Sequence, residues 1–518
     1  MQTLTIPTTA TTVASDAVTL TADQAAAREK FAHWFHDLEA DSFARIAGYA
    51  GTGKTTLLIE LLKWAIGMLE PAPIEALPEA TDADTVAAIA HLDRWDADDE
   101  PTPSILLCAP THAALNVMRR KVVEAGIGHR VTLATIQSAC AFKMTIDDNG
   151  NERCHRDKDK TPEIGSYPIV AIDEIQMLNS DIVEFLKGFN FRGARVLLLG
   201  DPAQPEPVGE SSSSAFEMPV AWQTTLTEVV RYSGKALELA TWLRDDLRTR
   251  AANATGILAK AKGGDRTLEF MGGLHAIGRM TDVFTAAKSP YDARIVCSTN
   301  AAVDQMNARV RVFLERRKEY EIGETLIANK PIKRWDAALG EEQILVNNGA
   351  VLTVKDRFES PMMPQIDRSL FGHVPDEILS NWQRPGKCLY LECEDTDGEM
   401  HMFPVLTGQT LAWHTATARQ ISQAVLALPK RSEKRRLGWR CWHEFLGLSA
   451  PVKYGYASTT HKATGLTFET AFVAIDDFQC WKIPSRNRLI YTALTRAANT
   501  VVLSSAYRDL GFELDDVA

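Results

Sequence analysis

Gly48-Tyr-Ala-Gly-Thr-Gly53-Lys54-Thr55 satisfies the pattern G-x-x-x-x-G-K-[ST] at every position. It follows Ser42-Phe-Ala-Arg-Ile-Ala, which reads as a short strand. It opens residues 54–68, which place Leu57, Leu58, Leu61, Leu62 and Trp64 at helical spacing. Strand, glycine loop and helix in that order are the context this motif requires. Glycines let backbone N–H groups converge on phosphate oxygens, and the helix N-terminus adds its positive dipole end. Gly48, Gly51, Thr52, Gly53, Lys54, Thr55 and Thr56 are therefore the predicted nucleotide cradle. Lys54 is suited to the β- and γ-phosphates, and the Thr55 hydroxyl to Mg²⁺.

The flanking sequence predicts a doubly wound α/β lobe around this loop. Residues 104–109, 169–173 and 195–200 are near-continuous apolar strands, and 113–125 and 178–188 are helical. Such alternation gives a parallel sheet buried on both faces. The pattern restarts with strands at 294–298, 471–475 and 500–504 and helices at 299–318 and 484–497, which predicts a second α/β lobe. Residues 331–450 interrupt it with strand-like pieces at 350–356 and 387–393 and a basic helical segment near 417–445. The expected organisation is a tail over 1–19, a first lobe over 20–230, a second lobe over 231–330 and 451–518, and a β-rich insertion over 331–450. Residues 76–103 are acidic and are expected to be a surface excursion.

The chain has 518 residues, enough for about three to five domains. Hydrophobic residues at 45% and charged residues at 24% exclude a mainly disordered chain. No apolar run reaches the ~18 residues of a membrane span. The first twenty residues lack a basic segment followed by an apolar core, so no secretory signal is expected. Eight scattered cysteines without a C-x-x-C pair suit free thiols in a reducing cytoplasm. The net charge of −11 argues against coating nucleic acid over the whole surface, but permits a local basic groove.

Two further polar clusters end apolar strands. Asp173-Glu174 follows Ile169–Ile172: Asp173 is suited to the Mg²⁺ shell and Glu174 to activating water. Gln204, in Gly200-Asp201-Pro202-Ala203-Gln204, is placed to touch a γ-phosphate or the attacking water.

These residues and several more resemble a superfamily 1 helicase of the 5′-to-3′ branch, of the RecD/phage Dda-like group. The resemblance spans about residues 20–330 and 450–518. It implies two tandem RecA-like P-loop NTPase lobes, with a β-hairpin insertion in the first and a small β-barrel-like insertion in the second. Gln24 looks like the glutamine that reads adenine. Ala109-Pro110-Thr111-His112 resembles motif Ia, and Thr135-Ile-Gln-Ser138 motif Ib; both are strand-gripping motifs. Leu226–Arg231 resembles motif IV, and Tyr491–Arg496 motif VI, implying that Arg231 and Arg496 cross the cleft to the γ-phosphate. Ser298-Thr-Asn300 resembles the opening of the second lobe, and Asn347–Ala350 the start of its barrel. Tyr456–Gly465 resembles motif V, which brings in Thr459, His461, Lys462 and Gly465. Two departures are Thr464 before the motif V glycine and Pro205-Glu206-Pro207 after Gln204.

The insertion in the first lobe is expected over about 139–166, where Asn149-Gly150 signals a two-residue hairpin turn. The resemblance implies a pin that splits the duplex. Residues 430–443 interleave Arg431, Arg435 and Arg436 with Trp439 and Trp442, a mixture suited to phosphates and bases. The sequence thus predicts a monomeric, cytoplasmic DNA helicase or translocase that uses ATP and Mg²⁺. It would act on single-stranded DNA and duplex forks beside replication or recombination proteins of a phage or bacterium. A P-loop kinase, an ATP-switched loader without unwinding activity, and RNA as substrate stay open at this point.

Overall fold

In the computed structural model the described residues are 19–37, 39–69, 104–191, 193–207, 209–210, 213–245, 247, 254–261, 263–336, 341–361 and 387–504. The N-terminal tail and the acidic 76–103 stretch lie outside them.

Strands β1 (Phe43–Gly48), β2 (Ile105–Ala109) and β3 (Val131–Thr135) precede a hairpin of β4 (Phe142–Ile146) and β5 (Glu152–Arg156). Strands β6 (Ile169–Ile172), β7 (Arg195–Gly200) and β8 (Trp222–Leu226) complete a parallel sheet of order β3-β2-β6-β7-β1-β8. Its inner strands β2, β6 and β7 are buried at every position, whereas the edges β3 and β8 are half-exposed. Those edges lack the continuous apolar run that marks a parallel strand in sequence.

The Lys54–Leu69 helix buries Leu57, Leu58, Leu61 and Leu62 on this sheet. Trp64 sits at its margin, edge-on to Phe31 and Phe35 of the Ala22–His36 helix. Thr21 and Gln24 close a reciprocal capping box there, which fixes the start of that helix beside the P-loop.

The second parallel sheet has the order β18-β10-β19-β20-β9. It comprises β9 (Leu268–Met271), β10 (Ala293–Cys297), β18 (Ala457–Thr459), β19 (Phe468–Ala474) and β20 (Ala497–Ser504). The fold is thus α/β with two RecA-like lobes.

Between β10 and β18 lie β11 (Thr325–Ala328), β12 (Ile332–Asp336), β13 (Glu341–Val346), β14 (Val351–Ser360), β15 (Cys388–Asp395), β16 (Met400–Val405) and β17 (Val452–Tyr454). Five of them form an antiparallel sheet of order β16-β15-β14-β11-β17, and β12 pairs with β13. Because β11 and β17 belong to it, this sheet extends past both ends of 331–450. The basic segment near 417–445 is an arm of two packed helices, Gly408–Ala427 and Glu433–Leu446, with its own apolar core around Ile421, Val425 and Phe445.

Candidate nucleotide cleft and strand groove

In the first lobe, the loops that carry function all leave the carboxyl ends of parallel strands. The glycine loop follows β1, Thr111 follows β2, Asp173 follows β6, Gln204 follows β7 and Arg231 follows β8. This is where an open α/β sheet presents a ligand site. Gly51 and Gly53 have φ of +85° and +74°. A Cβ on Gly53 would lie 2.7 Å from the Gln24 amide nitrogen, and one on Gly51 2.9 Å from the Tyr232 ring. Only glycine meets both demands. Gln24 donates to the Thr52 carbonyl at 2.9 Å, so it props the loop from outside.

A cleft of about 310 Å³ lies between the lobes, lined among others by Lys54, Thr55, Asp173, Glu174, Arg231 and Arg496. Gly51, Gly53, Thr56, Gln204 and Gly465 also face it. Lys54 donates to the Gly48 and Tyr49 carbonyls at 2.9 and 3.0 Å. Thr55 Oγ1 donates to Asp173 Oδ2 at 3.2 Å, which brings a hydroxyl and a carboxylate to one point where a divalent cation fits. Glu174 takes the left-handed conformation, φ +55°, and its carboxylate accepts from Gln176. Gly465 approaches from the second lobe; a Cβ there would lie 3.7 Å from Glu174 Oε1.

The electrostatics of this cleft suit a polyanion with a cation. Burial pushes the Lys54 ammonium below its usual range against the pull of Asp201, Glu174 and Asp173. Burial, joined by Glu174, pushes Asp173 up to about 6. Burial and the neighbouring Arg496 bring Arg231 down to about 10. Two guanidiniums that repel each other, and a buried Gln204 Oε1 without a partner among the described residues, are groups that a bound phosphate and its water would satisfy.

The routes by which the two arginines reach the cleft differ from the sequence expectation. Arg231 does not cross from the second lobe. It follows β8 of the first sheet, and its own N–H and that of Val230 donate to the Gly51 carbonyl at 3.2 and 2.9 Å. Arg496 alone arrives from the second lobe, at the start of β20. Carbonyls of Thr492 and Leu466 and the Thr495 hydroxyl hold its guanidinium.

Several cleft groups were not singled out from sequence. Asp201 is fully buried, ion-paired with Arg244, and accepts from the Tyr491 hydroxyl at 2.9 Å. The Ala50 N–H donates to that hydroxyl at 3.0 Å, and the Arg244 guanidinium lies 3.8 Å from the centre of the Tyr49 ring. Arg488 pairs with Glu206 at 2.7 Å. The P-loop, the β7 loop and the Ser485–Leu494 helix are thus joined. Tyr491 and Arg488 stand three apart on that helix, the spacing of one helical face, which is the signal that could have found them.

The expected strand contacts share one local design. Thr111, Thr135 and Thr459 are each N-caps, accepting from the N–H of Ala114, Ser138 and Lys462. Each starts a helix at a strand's carboxyl end. In the second lobe Asn300, Thr459 and Lys462 line one small groove, with Asn329 Oδ1 and Ser458 Oγ beside them lacking partners among the described residues. His461 is outside that groove, near the Trp481 ring. Pro110 and His112 belong to the first lobe's edge of the same face, where Gly349 closes on Ala113.

An AAA domain model matches residues 19–261, and a UvrD-like helicase C-terminal domain model matches residues 454–504. The first holds the P-loop, Asp173, Gln204 and Arg231; the second holds Thr459, Gly465 and Arg496. The chain belongs to the superfamily 1 helicases. It is 21% identical over 411 residues to the ATP-dependent DNA helicase dda of Enterobacteria phage T4, covering 76% of this chain and 85% of that protein. An uncharacterized protein of Acanthamoeba polyphaga mimivirus is 19% identical over 418 residues, covering 73% and 84%. A solved Pif1 helicase from Bacteroides superposes with a TM-score of 0.47 at 14% identity over 95% of this chain and 93% of that one. Among the described residues no helix is long and apolar enough to cross a membrane.

The helicase hairpin differs from expectation in its turn and in its partner. Asp148–Gly150 form a three-residue turn closed by the Asp147 N–H on the Asn151 carbonyl at 2.9 Å, with Gly150 at φ +83°. The tip is docked on the Glu433–Leu446 helix. Arg435 Nε and Trp439 Nε1 both donate to the Asp148 carbonyl, at 2.7 and 3.0 Å, and the His443 ring meets the Gly150 carbonyl at 3.1 Å. Arg435 and Trp439 are therefore buried rather than lining a nucleic-acid groove, and the Trp442 indole donates to the Ala418 carbonyl. Arg431 and Arg436 are exposed, the latter 4.0 Å from Glu433. Of the residues that suggested a stacking surface, Arg435 and Trp439 are spent on holding a turn and Trp442 on the packing of the arm itself.

Proposed function

We propose that this ATP-dependent DNA helicase steps 5′ to 3′ on single-stranded DNA and splits duplex at the docked hairpin. Replication or recombination in a phage or bacterium is the proposed setting, with the chain acting as a monomer. The observation that carries the reading is the convergence of Lys54, Thr55, Asp173, Glu174, Gln204 and Arg231 with Arg496 of the other lobe on one cleft.

On this reading Lys54 leaves the Gly48 and Tyr49 carbonyls for the β- and γ-phosphates. Gln24 stands at the adenine end, and the amides of Gly51–Thr56 face the phosphates. Thr55 and Asp173 would hold Mg²⁺, which would draw charge from the phosphate oxygens. Glu174 takes the proton of the attacking water, and its φ of +55° is a conformation that a functional site retains against cost. Gln204 orients that water. Arg231 and Arg496 face the charge that develops in the transition state. Loss of the phosphate returns Arg231 and Arg496 to mutual repulsion across the lobes, and the hinge motion moves DNA. Thr111, His112, Thr135, Ser138, Asn300, Thr459, His461 and Lys462, with Pro110 shaping the turn, would track the strand through its phosphates, with little sequence preference.

ATP hydrolysis by the purified chain, with and without a single-stranded DNA oligonucleotide, tests the motor, with Lys54→Ala as blank. Strong stimulation that the variant abolishes is the expected result; hydrolysis indifferent to DNA would overturn it. Unwinding of a 5′-tailed but not a 3′-tailed duplex tests the direction.

A further inference from the structure

The helix His112–Glu124 begins at the proposed strand contacts and ends at the nucleotide cleft. Its residues Ala114, Val117, Met118 and Lys121 line that cleft, at the i, i+3, i+4, i+7 spacing of a single stripe. Three are apolar. The fourth is a lysine whose ammonium is hydrogen-bonded to the Thr56 hydroxyl at 2.9 Å, in the first turn of the P-loop helix. No carboxylate forms an ion pair with it among the described residues. Burial depresses its pKa, with Arg231 adding to the shift and Asp173 and Glu124 opposing it. A half-buried cation paired only with a neutral hydroxyl, next to a second cation, is left in want of an anion.

The two residues before it tie the same helix elsewhere. Arg119 meets Asp397 of the inserted sheet at 3.5 Å, and Arg120 donates to the Tyr291 hydroxyl of the second lobe at 3.3 Å. One rigid rod therefore connects Thr111 and His112, both second-lobe contacts and the nucleotide cleft.

We propose that Lys121 is a further nucleotide-binding residue: its ammonium passes from the Thr56 hydroxyl to a phosphate oxygen of the bound nucleotide and links occupancy of the cleft to the helix that starts at Thr111. This rests on the reading of the cleft as an ATP site. A charge-assisted hydrogen bond from a desolvated ammonium is strong enough to change affinity about tenfold or more.

The test is equilibrium binding of a fluorescent N-methylanthraniloyl ADP, with Mg²⁺, to the full chain. Lys121→Met keeps the aliphatic stem and is expected to raise Kd about tenfold, while Lys121→Arg restores most of the loss. Lys121→Gln, which keeps a donor for Thr56 without the charge, serves if the methionine unsettles the fold, and the same loss is expected. In the unaltered chain, saturating MgADP should shift the affinity for a fluorescein-labelled oligo(dT). By reciprocity of linked binding, that shift should shrink toward onefold in Lys121→Met. A folded Lys121→Met or Lys121→Gln with Kd within twofold of the unaltered chain overturns the inference and leaves the ATPase reading standing. An unaltered chain that does not bind the probe overturns both.

Discussion

Gly150→Ala should detach the hairpin from the arm that holds it. Gly150 sits at φ +83°, where a residue with a Cβ costs about 1–2 kcal/mol. The new Cβ would also lie 2.7 Å from carbons of the Trp439 ring. That ring cannot yield cheaply, because its Nε1 is hydrogen-bonded to the Asp148 carbonyl and its face is closed by Trp442 at 5.6 Å. Overpacking of this kind costs about 1–3 kcal/mol, so the total penalty is about 2–5 kcal/mol. Docking is opposed by that amount and held by hydrogen bonds from Arg435, Trp439 and His443. Each is worth about 0.5–1.5 kcal/mol, or about 2–4 kcal/mol together. The two sides are comparable, so a large fraction of molecules should carry an undocked hairpin. A two-stranded hairpin is marginal by itself, and residues 142–156 should then lose amide protection. The expected functional result is forked-duplex unwinding per ATP reduced about tenfold, with DNA-stimulated hydrolysis largely kept, since the cleft is untouched. Unchanged amide exchange over 142–156 together with unchanged unwinding would refute the reasoning.

Tyr491→Phe removes the hydroxyl shared by the Ala50 N–H, Arg244 and the buried Asp201; turnover measured at saturating ATP should fall about tenfold, and the melting temperature should fall too, since each buried group left without its partner costs about 1–3 kcal/mol. Asp173→Asn should abolish Mg²⁺-dependent hydrolysis yet raise the melting temperature of the protein in EDTA at pH 7.5. The sign follows from the raised carboxyl, about 6 against 3.8 unfolded: the folded state binds the extra proton between those values. Stability is therefore lost as pH rises through that window, and the variant's gain should vanish toward pH 4 in thermal melts. Arg435→Ala should lower thermal stability by about 2 kcal/mol or more, because it leaves the Asp148, Leu426 and Leu428 carbonyls short of a donor. Arg436→Ala should leave stability unchanged, since its pairing with Glu433 is solvent-exposed.

The parts legible in sequence were those with a short-range signature. The glycine loop with its flanking strand and helix, the buried strands β2, β6 and β7 and the acidic pair after β6 each announce themselves within a few residues. Edge strands β3 and β8 did not, because they are incompletely buried and carry threonine or glutamine among their apolar residues. Strand β18 is three residues long, and β9 finds its pairing partner only in the distant β20. The basic, tryptophan-rich segment misled for a physical reason. A guanidinium that binds phosphate and one that caps three backbone carbonyls look alike in sequence, and only the docking of a turn almost 290 residues away separates them. Lys121, Arg244 and Tyr491 were hidden likewise, since each acquires its partner only when distant elements meet.

The joined lobes bear on how hydrolysis would do work on the proposed reading. The two lobes meet through Tyr491 with Ala50 and Asp201, and through Arg488 with Glu206. A triphosphate bound in the cleft would act beside these protein contacts. What it would change is charge. Arg231 is anchored to the P-loop through its backbone and donates from its guanidinium to the Thr495 carbonyl of the second lobe at 3.5 Å, and Arg496 is held by carbonyls and a hydroxyl of that lobe, so neither can retreat far from the other. Their repulsion, felt across a desolvated cleft, is neutralised by a polyanion and restored when part of it leaves. The step that opens the cleft is then driven by two arginines rigidly owned by different lobes. Replacing either with a neutral residue should weaken nucleotide-dependent closure as well as slow the chemistry.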